Sequence, residues 1–263
     1  MAAKLYTPGG PSGIEPGTRL AGHTALITGG ARRVGAAIVR ALHGAGANVV
    51  IHCHRSLSAA RALAAELESK RPDSTAVISG DLLDAEALPG LIGEARQCFA
   101  ALHLLVNNAS TFYPTPLGTI TLAQWDDLIG TNLRAPLLLA QAAAPELRRT
   151  QGAVLNIIDI HGLRPLRDHL VYSIAKAGLI MLTRALAREL GPDVRVNGIA
   201  PGPVLWPEAP LADELKEKII DKTPLHRYGS PDDVARAVLF FASDAPFVTG
   251  QILAVDGGRS IGW

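Results

Sequence analysis

The chain of 263 residues has only two cysteines, Cys53 and Cys98, and neither has a CxxC partner or metal-ligand spacing. They therefore offer no disulfide framework and no thiolate metal site, and read as small apolar residues of a reduced, cytoplasmic protein. Charge of one sign is lacking too: the formal net charge is +1, which excludes a general attraction to nucleic acid or to an anionic membrane, so a bound anion must be held by local groups. No apolar run approaches the roughly 18 residues of a spanning helix. The N-terminus has no hydrophobic signal core. Residues 1–20, proline- and glycine-rich between positions 8 and 17, read as a flexible tail. No internal repeat or second domain is visible.

Present instead is a hydrophobic fraction of 48% against 19% charged residues, enough for the large core of one α/β domain over residues 21–263. From Thr24 onward, short apolar runs alternate with longer amphipathic ones, the pattern of strand–helix–strand units around a parallel sheet. Strands are predicted at 24–28, 48–52, 75–79, 102–107, 153–158, 194–199 and 251–255. Right-handed crossovers then give a Rossmann-like, doubly wound parallel sheet of about seven strands, with ligands at the strands' carboxyl ends. The helical stretch 121–149 contains Pro136 and Pro145 and is expected to kink or break. After the sixth strand an irregular, proline-rich segment leads to a helix at 213–221. Together, residues 203–226 read as a lid over the site.

Tyr172 and Lys176 stand four residues apart, on one face of a helix, with Asp159 thirteen residues upstream. An ammonium beside the phenol favours its ionised form, bringing a pKa of about 10 down toward neutrality, where protons exchange easily. Between the first strand and an alanine-rich helix lies Thr28-Gly29-Gly30-Ala31-Arg32-Arg33-Val34-Gly35. Glycines there permit a tight turn and close approach of backbone to phosphate, and the helix N-terminus presents unpaired N–H groups to a pyrophosphate. The second strand runs into His54-Arg55-Ser56 without a carboxylate. A 2′-phosphate would find there a cation, an imidazole and a hydroxyl, which points to NADPH over NADH. Alternatively, Arg55 simply opens the next helix.

The Tyr172/Lys176 pair resembles the YxxxK motif of the short-chain dehydrogenase/reductase family, and the glycine turn resembles its TGxxxGxG loop. The resemblance covers about residues 24–258. It implies that Gly29, Arg32, Arg33, Val34 and Gly35 cradle the cofactor, that Asp81 holds the adenine edge with Leu82 packed near it, and that Asn108, Ala109 and Ser110 follow the family's NNAG pattern. Pro201 and Gly202 join the same cofactor site, Lys176 binds the nicotinamide ribose, and Asn132 holds a water in a proton relay behind the lysine. Relatives commonly build a homotetramer through long helices such as 121–149 and 169–190. The chain end, at Trp263, is expected to reach toward a neighbouring subunit.

Three departures fall where the ligand belongs: Arg33 replaces the loop's middle glycine, Ser110 the last glycine of NNAG, and Asp159 the usual serine. With His54-Arg55-Ser56 and the run from Asn108 to Pro116, they resemble the pteridine reductase subgroup. A pterin is a flat, hydrogen-bonding heteroaromatic that an aromatic side chain grips well. Phe112 is placed to be one face of that grip, with Ser110 and Arg33 bonding the ring's polar edge or the cofactor phosphates. Trp206, in the lid, covers the ligand or anchors the lid; His161 lines the pocket or is a generic loop residue.

The expected activity is NADPH-dependent reduction of pterins, dihydropterin to tetrahydropterin, extending to oxidised pterins and dihydrofolate, with Asp159, Tyr172, Lys176 and Asn132 as its catalytic set and no metal. An ionised Asp159 would repel a developing alkoxide, which argues against simple ketone reduction. The alternatives are a reductase for 3-oxoacyl or other ketones and a non-catalytic NADP-binding scaffold. The strand-two end generates the first test: kcat/KM with NADPH should exceed that with NADH by at least tenfold, and near-equal efficiencies would refute the phosphate assignment.

Overall fold

The computed structural model describes residues 18–205 and 212–261. Its seven strands are β1 (Thr24–Ile27), β2 (Asn48–Cys53), β3 (Thr75–Ser79), β4 (Leu104–Asn107), β5 (Ala153–Ile157), β6 (Arg195–Pro201) and β7 (Ile252–Val255). All pair in parallel in one sheet of order β3-β2-β1-β4-β5-β6-β7. The predicted doubly wound sheet is therefore the observed one. Every strand falls within two residues of its expected ends.

Eight helices cover the sheet among the described residues: α1 (Arg33–Gly44), α2 (Leu57–Glu68), α3 (Leu88–Phe99), α4 (Leu122–Ile129), α5 (Ala135–Thr150), α6 (Leu170–Leu190), α7 (Asp213–Asp221) and α8 (Pro231–Leu239). The two-residue alternation of each strand assigns its side chains to one helical layer or the other. Ala25, Ile27, Val49, Ile51, Leu104 and Val106 pack with Ile38, Leu42 and Leu63, whereas Leu26, Val50, Leu105 and Val154 pack with Ile92, Leu139 and Leu190. Both faces are thus buried, as continuous apolar strands require.

Local rules set the helix ends. Thr121 and Gln124 form a capping box that starts α4, and Ser230 does the same with Asp233 for α8, whose first residue is Pro231. The stretch with Pro136 and Pro145 does not break at either proline. Instead, a π-helical turn over Gly130–Arg134 separates α4 from α5, Pro136 sits in the first turn of α5, and Pro145 is carried inside it.

Two expectations need correction. Leu20 is buried against the core and its N–H donates to the Ala45 carbonyl at 2.8 Å, so the folded chain begins before residue 21. Residues 1–17 of the expected tail, together with Trp206 and Trp263, lie outside the described residues. The 21-residue α6 is, by length and composition, apolar enough to cross a membrane, although no such segment was expected. It packs against β6 and α5 and carries the buried Tyr172 and Lys176.

The glycine turn joins β1 to α1. Gly29 has φ +61°, a conformation other residues adopt at a cost. At Gly35 a Cβ would overlap the Gly29 carbonyl and stand 2.7 Å from Asn108 Nδ2. Gly35→Ala should therefore lower the melting temperature by several degrees and weaken cofactor binding, as read by calorimetry on the free and loaded protein.

Candidate active site

The carboxyl ends of the strands open onto a cleft of about 1050 Å³. Its phosphate-side wall is the glycine turn, which neighbouring strands hold rigid. Thr28 Oγ1 accepts from the N–H groups of Asn108 at 2.9 Å and Ala109 at 3.0 Å. Asn108 Nδ2 donates back to the carbonyls of Thr28 at 2.9 Å and Gly29 at 3.1 Å. His52, buried at the end of β2, braces the turn from the other side. Its Nδ1 lies 3.4 Å from the Gly29 N–H and its Nε2 3.1 Å from the Gly80 carbonyl. Burial pushes its pKa down to about 4, so the imidazole is neutral. Nδ1 then accepts while Nε2–H donates, tying three strand ends together.

Arg33 occupies φ +52°, where the family pattern has glycine. A side chain in this left-handed region costs about 1 kcal/mol or more, a strain that persists only where the surroundings impose it. Arg32, Arg33, Val34 and Gly35 all line the cleft, as do His54, Arg55, Asp81, Leu82, Asn108, Ala109, Pro201 and Gly202. His54 Nε2 is 3.8 Å from Asp81 Oδ2. A pyrophosphate fits this turn, because the N-terminus of α1, which no side chain caps, opens onto the cleft. Ser56 does not line the cleft. It stands at the N-cap of α2, where its side chain makes no capping hydrogen bond.

The reacting end is built from β5, α6 and the loop after β4. Asp159 closes β5 and caps a short 3₁₀ turn over Ile160–Gly162, its Oδ1 accepting from the His161 N–H at 2.8 Å. Its Oδ2 accepts from the Tyr172 hydroxyl at 2.8 Å. Both carboxylate oxygens are thus engaged, one in holding the loop and one in holding the phenol. Lys176 is buried, donates to the Ile157 carbonyl at 3.1 Å, and lies 5.6 Å from the centre of the Tyr172 ring.

This arrangement corrects the expected electrostatics. Burial first, and the Asp159 charge and hydrogen bond next, raise the Tyr172 pKa well above its ordinary value, with only the Ser110 hydrogen bond acting the other way. The phenol is therefore neutral, not poised for ionisation by Lys176. Burial also lowers Lys176 to about 8, against the opposing pull of Asp159.

Ser110 and Asn132 meet as well. Ser110 Oγ donates to Asn132 Oδ1 at 2.6 Å, while Asn132 Nδ2 donates to the carbonyls of Thr111 and Leu128, each at 3.0 Å. Asn132, buried in the π-helical turn, does not line the cleft; it fixes the loop that carries Ser110. Phe112 lines the cleft with 51% of its surface exposed, stacked on His169 at 4.6 Å and edge-on to Tyr172 at 4.8 Å between ring centres. Next to it, Tyr113 donates to Asp127 Oδ2 at 2.8 Å, and burial with that carboxylate pushes its phenol up to about 12.

Sequence reasoning missed His52, Asp127, Tyr228 and Arg259 on the cleft wall. Only position could have signalled them: His52 ends a strand, and Arg259 follows the last one. His161, considered in the sequence, does line the cleft.

A parallel sheet with a strapped glycine turn, and an acid–phenol–ammonium cluster at its carboxyl edge, defines a dinucleotide-binding oxidoreductase. The family model for enoyl-(acyl carrier protein) reductase matches residues 29–260, and the chain belongs to the short-chain dehydrogenase/reductase family. Its relatives include the 3-oxoacyl-(acyl-carrier-protein) reductase of Staphylococcus aureus, 37% identical over 89% of this chain and 97% of that protein. Mouse L-fucose dehydrogenase is 37% identical over 94% of this chain and 91% of its own. Pteridine reductase 1 of Leishmania tarentolae is 34% identical over 90% of this chain and 96% of its own.

Lys176 supplies a test of the electrostatics. Its folded pKa of about 8 lies below the unfolded value of 10.5, so the penalty for burying its charge is fully present below pH 8. Above pH 8 the unfolded chain binds more protons and the native state gains stability. Wild-type stability relative to Lys176→Met should therefore rise by roughly 2 kcal/mol between pH 7 and pH 10 in denaturant titrations. A pH-independent difference would show that the lysine is not buried as a cation.

Proposed function

We propose that the protein reduces pterins, dihydropterin to tetrahydropterin, using NADPH. The observation that carries the reading is the 2.8 Å hydrogen bond from the Tyr172 hydroxyl to Asp159 Oδ2, at a position where most of the family has serine. A carboxylate there would repel the oxyanion that forms when a ketone takes up hydride. Reduction of a ring C=N develops its charge on nitrogen instead, and nitrogen needs a proton. NADPH, when bound, supplies the hydride to the ring carbon.

The chain's own residues deliver the proton. Tyr172, held neutral by burial and by Asp159, is a weak acid that releases a proton only to a strongly basic acceptor. The ring nitrogen becomes one as hydride arrives. Tyr172 Oη then donates to nitrogen, and Asp159, taking a proton from water, returns one to the phenolate. Ser110, oriented by Asn132, bonds the ring's polar edge, and Phe112 covers one face of the ring. Lys176, on the cleft wall, holds the ribose of the cofactor. Arg55 and His54 receive the 2′-phosphate, and Arg33 the pyrophosphate or the substrate edge. The two free cysteines support a cytoplasmic setting. The exposed Trp125, Leu137 and Met181 on α4, α5 and α6 support a homotetramer.

A second reading, reduction of a 3-oxoacyl thioester, draws on the 37% identity to the Staphylococcus aureus enzyme. One spectrophotometric panel separates the two. Biopterin, dihydrobiopterin or dihydrofolate should oxidise NADPH, and Tyr172→Phe and Asp159→Asn should each lower that kcat by about a hundredfold or more while leaving NADPH affinity within a factor of three. Failure with every pterin across pH 5–8 would reject the proposal. Turnover of a 3-oxoacyl thioester that survives Asp159→Ala would establish the second reading.

A further inference from the structure

The cleft has a cationic end that neither the proton relay nor the glycine turn uses. Arg259 follows β7, is partly buried, and lines the wall with Tyr228 and with Ile219 of α7. Its Nη1 donates to the Ile219 carbonyl at 2.9 Å, one of the five donors a guanidinium carries. Among the described residues no carboxylate pairs with it. The nearest in sequence, Asp256, is already committed: its oxygens accept from the Gly258 N–H at 2.8 Å and the Ser260 N–H at 2.7 Å. The Asp256 turn therefore fixes Arg259 without neutralising it. Burial keeps the neighbouring Tyr228 phenol at about 12, so its hydroxyl is neutral there.

Strand order sets this site apart from the phosphate cradle of the glycine turn. The glycine turn follows β1 and Arg55 follows β2, whereas Arg259 follows β7, with β4, β5 and β6 in between. Four strand spacings separate β1 from β7, about 19 Å at roughly 4.8 Å each. From β5, which presents Asp159, the separation is two spacings, about 10 Å. An aromatic spacer attached to the reacting ring covers that span, and a guanidinium fork matches a carboxylate at its far end.

We propose that Arg259 is a specificity-determining residue that receives a carboxylate on the substrate's tail, so that the enzyme prefers a glutamate-bearing pterin over one with a short neutral side chain. The inference rests on the pterin reading, and its test keeps the two apart.

Arg259→Gln should lower kcat/KM for dihydrofolate by about tenfold to a hundredfold, through KM, the scale of a lost charged hydrogen bond. The value for dihydrobiopterin should change less than threefold, and Arg259→Lys should recover part of the loss. Equal losses on both substrates, or none on dihydrofolate, overturn the proposal while leaving pterin reduction intact. Calorimetry on NADP-loaded protein covers the case of no turnover. Folate should bind wild type at least tenfold more tightly than biopterin, and the variant should lose that preference. That result sustains the anion site even if the reductase reading fails; absence of the preference, or its persistence in the variant, overturns it. If Arg259→Gln does not fold, folate and its neutral bis-amide make the same comparison on wild type, where equal affinities overturn the proposal.

Discussion

The buried Tyr172 phenol donates its hydroxyl proton to the Asp159 carboxylate at 2.8 Å, and the rest of the site is arranged around that contact. Burial alone would favour a neutral phenol, and the adjacent negative charge reinforces it. Asp159 can hold this position because its other oxygen is fixed by the turn that ends β5. Tyr172 can hold it because α6 lies against the sheet and Phe112 meets its ring edge-on. The ammonium of Lys176, a helical turn away, is committed to a backbone carbonyl, and its own charge is destabilised by burial. The phenol at this site is therefore held in its neutral form.

The glycine turn is held by a different means. Its own residues contribute conformational freedom, but Thr28, Asn108 and His52 contribute rigidity, each from a separate strand end. A phosphate cradle of backbone N–H groups binds well only if those groups are already in place, since ordering them on binding costs free energy. The neutral His52 does this without placing a charge beside the anion site. Arg33, in a strained left-handed conformation directly ahead, lines the same cleft.

Much of this was legible in the residue order. Short apolar runs located every strand, because the central strands, buried on both faces, must be apolar over most of their length whatever lies around them. The YxxxK spacing placed Tyr172 and Lys176 on one helical face, since 3.6 residues per turn requires it. The loop contacts of Asn132 and the place of Ser56 were not legible. Asn132 lies in a π-helical turn whose loop partners sit some twenty residues away, and Ser56 falls at the N-cap of α2, off the cleft wall.

What the sequence alone determined, then, is the architecture and the membership of the cluster, because periodicity and spacing are short-range properties. Only the tertiary structure decided the direction in which the Tyr172 phenol moves, for burial and the approach of Asp159 are set by packing between segments that the chain does not join directly. It also decided that Arg259, remote from every motif, stands on the cleft wall with no carboxylate partner among the described residues, since the parallel order of the sheet brings the end of β7 to the same edge as β5.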